Sequence, residues 1–127
     1  MDENEISAAV VDAAIQIHRR LGPGLYESVY EAILAHELVK RGLQIKRQVA
    51  VALQYDELTF DEAFKADLLV ENKVMIELNS LETLLPVHHK QLLTYIKLAN
   101  VRLGLLLNFG ATFMKDGVER VANHMPH

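Results

Sequence analysis

Cysteine is absent from the 127 residues, which excludes disulfides, thiol catalysis and cysteine-ligated zinc or iron–sulfur clusters. Any metal site must then be built from carboxylates, histidines and amides, and should be rich in oxygen. Long apolar runs are missing as well, since no stretch approaches the roughly 20 apolar residues of a membrane span. The opening segment MDENEISAAVVDAAIQIHRR is acidic where a secretory signal would be basic, so a soluble, cytoplasmic protein with no membrane partner is expected. A surplus of positive charge is also lacking. The net charge of −4 gives no general attraction for phosphate backbones and counts against a nuclease. The charge is uneven, however: Lys40, Arg41, Lys46 and Arg47 lie close together and leave room for a local basic face. Repeats, low-complexity tracts and linkers are not found. With half its residues apolar, a chain of 127 is long enough for one core and short for two ordinary domains. One domain over residues 1–127 is expected, with a core at about 4–121 and a tail at 122–127.

Ile6, Val10, Ala13, Ala14, Ile17 and Leu21 recur at helical spacing and predict a helix over 4–20 that stops before Gly22-Pro23-Gly24. Tyr26, Val29, Tyr30, Ile33, Leu34 and Leu38 repeat the period and predict a second helix over 25–41. From Ile45 the period changes to two, predicting a strand over 44–54. The polar stretch Tyr55 to Glu62 reads as turn or loop, and strands at 64–70 and 74–78 flank the tight connection Glu71-Asn72-Lys73. Pro86 marks the start of a third helix through Gln91, Leu92, Tyr95, Ile96 and Ala99. The run Leu103-Gly104-Leu105-Leu106-Leu107 reads as a buried strand, with a last short one near Val118–Val121. The order ααβββαβ(β) gives an α/β class with a mixed central sheet flanked by helices.

The hairpin holds the first chemistry. If it turns symmetrically about Asn72, Asp67 faces Glu77 and Lys65 faces Asn79, and the period of two sends all four side chains to one face. Like charges directly opposite on neighbouring strands are destabilising, so a buried Asp67/Glu77 pair needs a cation or a shared proton. A hard divalent ion such as Mg²⁺ or Mn²⁺, or a nearby lysine, would serve. The competing reading places either acid at a strand end in water, or in a pair with Lys65.

Residues 24–30, GLYESVY, resemble the GxxExxY signature of a bacterial protein family, with Glu27 at its centre. Asp67 followed by Ile76-Glu77-Leu78-Asn79 resembles the D…(D/E)xK core of PD-(D/E)XK nucleases, and Gln91 to Tyr95 the QxxxY motif of RecB-type exonucleases in that superfamily. LGLLLNFG at 103–110 is similar to the C-terminal strand of the GxxExxY proteins. The resemblance spans about residues 4–121 and implies a restriction-endonuclease-like core. It further implies Mg²⁺ or Mn²⁺ at Asp67 and Glu77, with Glu27 approaching from the second helix, and Gln91 and Tyr95 facing the site from the third. Hydrolysis of DNA phosphodiester bonds is the implied activity, weakened because Asn79 stands where the family has lysine. An amide can hydrogen-bond a water or a phosphate oxygen but carries no positive charge. Lys65 is a candidate to supply that charge across the hairpin; otherwise it is an edge-strand lysine that discourages aggregation. The alternatives are an inactive nuclease-fold module that binds nucleic acid or protein, and a structural homo-oligomer, with a homodimer burying the apolar surplus.

Other residues carry blander expectations. His88 and His89 are adjacent on a helix, about 100° apart, and do not readily ligate one ion. His18 is expected to be partly exposed, Tyr26 to pack in or beside the core, and Tyr30 to offer its hydroxyl to the acidic site. His124 and His127 fall in the tail.

Overall fold

The computed structural model describes residues 1–124. Helix α1, Glu3–Leu21, starts on a reciprocal cap. The Asp2 carboxylate accepts from the Glu5 amide at 2.8 Å, while the Glu5 carboxylate accepts from the Asp2 amide at 3.3 Å. The helix ends at Gly22, whose φ of 72° favours glycine. Helix α2 spans Glu27–Lys40, two residues shorter at its start than its periodicity suggests, and is closed by Gly42. Strands β1 (Ile45–Tyr55), β2 (Leu58–Val70) and β3 (Val74–Asn79) follow, then α3 (Pro86–Leu98), β4 (Leu103–Asn108), a 3₁₀ turn at Met114–Asp116 and β5 (Val118–Ala122). The order is the expected ααβββαββ. The last residue of β5 falls in the segment read as tail; the expectations for residues 125–127, His127 among them, lie outside the described residues.

The five strands lie in the order β1-β2-β3-β4-β5, antiparallel except for β3 and β4, which run parallel because α3 crosses over between them. This mixed sheet flanked by helices is the restriction-endonuclease-like α/β arrangement. One core lies under α1 and α2, where Ile6, Val10, Leu34 and Leu38 meet Leu68, Ile76, Leu105 and Leu107. The other lies under α3, where Leu92 and Ile96 meet Met75, Leu106 and Val121. Strand β4 is buried along its whole length, as its unbroken apolar run implies. At Gly104 an added Cβ would sit 2.9 Å from Leu92, so glycine lets α3 rest on the strand.

One expectation about an element fails. The stretch read as loop, Tyr55 to Glu62, is mostly strand: Tyr55 pairs with Leu58, Gln54 with Thr59 and Leu53 with Phe60. Only Asp56 and Glu57 turn, Asp56 in the left-handed region at φ 51°. Polarity disguised the strand, because this half of the β1–β2 hairpin projects into water with Tyr55, Leu58 and Phe60 exposed, so it needs no buried face.

Candidate active site

The β2–β3 hairpin turns as expected. Val70 pairs with Val74, Leu69 with Met75 and Leu68 with Ile76, the register that places Asp67 opposite Glu77. Glu71 and Asn72 both have φ of 54°, the two left-handed central residues a tight hairpin turn requires. The backbone ladder then ends. Beyond it β2 continues with β1, while β3 continues with β4 as far as Asn79 beside Asn108. Where the strands part, the two acids replace the lost ladder bonds: the Leu78 amide donates to Asp67 Oδ2 at 2.9 Å, and the Asp67 amide donates to Glu77 Oε1 at 3.3 Å. Two carboxylates are thereby fixed at a fork in the sheet.

A third acid arrives from α2, and it is not Glu27. Glu31 is buried at 5% exposure, with its Oε2 held by Arg47 through Nε at 3.0 Å and Nη2 at 2.9 Å. Its Oε1 accepts from Gln48 Nε2 at 2.6 Å, and the same amide reaches Asp67 Oδ1 at 3.3 Å. Burial, then the charge of Asp67, and more weakly that of Glu31, push the Glu77 carboxyl up to about 8. The Tyr95 hydroxyl is raised as well, first by burial and then by the charges of Glu77 and Asp67, which places α3's tyrosine within electrostatic reach of the fork. Its ring stacks on Phe64 with centroids 3.9 Å apart.

Residues 24–30 lie beside the end of β3. Gly24 adopts φ 111°, open to glycine only. Glu27 Oε1 accepts from the Ser80 amide at 3.1 Å, one residue past β3, beside a hollow of about 510 Å³ lined by Leu25, Tyr26, Glu27, Ser28 and Ser80. Tyr30 is fully buried, stacked on Phe109 at 4.3 Å, and its hydroxyl donates to the Gly22 carbonyl and accepts from the Leu25 amide. That hydroxyl thus serves the turn and not the acids. Tyr26, expected near the core, is 83% exposed because it caps α2 from outside. His18, expected to be partly exposed, is buried, with its Nε2 2.8 Å from the Ala111 carbonyl.

Asn79 ends β3 half-buried, two residues beyond Glu77 and therefore on the same face. Gln91 is exposed on α3, one turn before Tyr95. Lys65 is not brought to Asn79. Its ammonium lies 3.4 Å from Glu62, and the β2–β3 ladder stops three residues short of it. Strict alternation also fails here, for Leu68 packs under α1 and α2 while Ala66, two residues away, packs under α3. His88 Nδ1 accepts from the Leu85 amide and His89 pairs with Glu119, so both serve the start of α3. Sequence reading missed Glu31, Gln48 and Asn108. Glu31 could have been found, since with Leu34, Ala35 and Leu38 it occupies the buried stripe of α2. Asn108 is buried and ties down Leu81, accepting from its amide and donating to its carbonyl, both at 2.9 Å, which fixes the chain after Asn79.

Among the described residues no three acidic or histidine side chains stand together closely enough to form a ready-made metal site. Asp67 and Glu77 nonetheless fit a hard divalent cation: both offer oxygen, Glu77 Oε2 accepts no hydrogen bond among the described residues, and the burial and the Asp67 charge that oppose ionisation of Glu77 are both offset by a bound cation.

A sequence model of the PD-(D/E)XK nuclease superfamily matches residues 4–121. The chain belongs to that superfamily. The matched span includes the fork residues Asp67 and Glu77 and the end of β3 at Asn79. No curated protein and no solved structure matches the chain significantly.

Proposed function

We propose that the protein is a divalent-metal-dependent nuclease that hydrolyses DNA phosphodiester bonds, and that within its superfamily it stands with the GxxExxY proteins. The observation that carries this reading is the Asp67/Glu77 pair, held at the fork by each other's strand and electrostatically incomplete, with Glu77 raised to about 8. Asp67 and Glu77 would hold Mg²⁺ or Mn²⁺, which when bound supplies positive charge to the phosphate and acidifies an attacking water. Glu77 would have to be deprotonated to hold the cation. Asn79, on the same face, donates a hydrogen bond to a phosphate oxygen or orients the water, but does not carry the charge of a lysine. Tyr95, with Gln91 one turn before it, would face the approach from α3, and Glu27 fixes the end of β3 through Ser80. Lys65, paired with Glu62, is left out of this machinery.

Asn79 favours a second reading, a module that keeps the fold and binds nucleic acid without cutting it. Incubation of supercoiled plasmid and single-stranded DNA with Mg²⁺ or Mn²⁺ separates the two. The nuclease predicts cleavage that falls by about a thousandfold in Asp67→Asn, the scale of removing charge stabilisation from a transition state. Salt-sensitive DNA binding with no cleavage by wild type would support the module instead. A homodimer belongs to the proposal too, supported by the exposed Tyr55, Leu58 and Phe60 of the projecting hairpin, and light scattering reads it directly.

A further inference from the structure

Among the described residues, six other than glycine adopt positive φ, and five of them lie in turns or in the bend at His124. Gln48, at φ 49°, is the one inside a strand. Glutamine has no local preference for this conformation, in contrast to asparagine, so something around it must hold it there. What it gains is visible in its side chain: both amide hydrogens are used, one on Glu31 Oε1 at 2.6 Å and one on Asp67 Oδ1 at 3.3 Å. The distortion coincides with the point at which β1 and β2 exchange faces, Ile45 packing under α1 and α2 and Val49 under α3.

We infer that Gln48 is a positioning residue that sets the orientation of Asp67 for a divalent cation, using the buried and Arg47-anchored Glu31 as its fixed point. Asp67 is held at both oxygens, Oδ2 by the Leu78 amide and Oδ1 by Gln48. A neutral amide with two donors can bridge two carboxylates without adding charge, which neither a hydroxyl nor a carboxylate does. The longer of its two bonds falls on Asp67, so Oδ1 keeps lone-pair capacity for a metal while the carboxylate plane is prevented from rotating. Partners that orient ligands in this way change metal affinity by about 10–100-fold when removed. The inference rests on the proposed metal site at the fork.

The test compares wild type with Gln48→Gly and Gln48→Asn, two residues that accept the backbone conformation while removing or shortening the tether. Mn²⁺ is titrated calorimetrically without DNA, and Tm is measured on the same samples. The expected result is a Kd for Mn²⁺ at least about tenfold weaker in both variants, with Tm within about 5 °C of wild type. Equal Mn²⁺ affinity in all three proteins would overturn the positioning role and leave the metal site standing. Absence of Mn²⁺ binding by wild type would overturn both, and a loss of affinity only in step with a large fall in Tm would reduce Gln48 to a structural residue.

Discussion

Glu77 is the residue where electrostatics and folding are most tightly linked. Its carboxyl ionises near 4.5 when unfolded and near 8 when folded, so between those values the folded protein holds a proton that the unfolded chain has released. Stability of the metal-free protein is therefore full below about pH 4.5, declines as pH rises towards 8, and is flat beyond as far as this group is concerned. Glu77→Gln should remove that decline and stabilise the metal-free protein at pH 9 by about 2–4 kcal/mol, with little effect at pH 5, as read by chemical denaturation at the two pH values. Tyr30→Phe should cost about 1–3 kcal/mol, because the Gly22 carbonyl and Leu25 amide lose a buried partner. At this scale the acid pair was legible from spacing, since the period of two and a symmetric turn suffice to oppose Asp67 and Glu77. Gln48 was not, because nothing in IKRQVAV signals a left-handed residue within a strand. The burial of His18 was likewise hidden, as its partner is the Ala111 carbonyl, 93 residues away.

Among the elements, the three helices and the apolar strands could be read from the sequence because each buries one face and so displays its period. The outer half of the β1–β2 hairpin could not, since cross-strand pairing alone maintains it. That difference has a measurable counterpart. Phe60→Ser at the exposed end should change the stability of the monomer, measured at a concentration where no dimer forms, by no more than about 0.5 kcal/mol. Gly104→Ala, which forces a methyl against Leu92 and Ile96, should cost about 1–3 kcal/mol, with the Tm of each variant as the readout. The fork is also a property of elements: it exists because β2 follows β1 and β3 follows β4, and the carboxylates occupy the backbone positions that parting strands leave without ladder partners.

For the whole molecule, a net charge of −4 bears on the proposed polyanionic substrate. The basic cluster that sequence suggested is largely engaged internally, with Lys40 on Glu37, Arg41 on Asp12 and Arg47 on Glu31. Within that cluster only Lys46 makes no ion pair among the described residues, and the net charge is negative, so the logarithm of DNA affinity should fall with the logarithm of salt at a slope no steeper than about −3, measured by fluorescence anisotropy between 50 and 200 mM salt. Under the proposed function, recognition would depend on the site more than on long-range attraction, with a bound cation supplying much of the local positive charge. The central claim is that the Asp67/Glu77 fork is a pair of acids that holds a proton at neutral pH and exchanges it for a divalent cation. Calorimetric titration of Mg²⁺ and Mn²⁺ at pH 7, in two buffers of different ionisation enthalpy, tests it most directly. The account predicts binding with release of about one proton, and loss of both in the Asp67→Asn/Glu77→Gln double variant. A wild type that binds neither ion, or a double variant that binds them equally well, would contradict it.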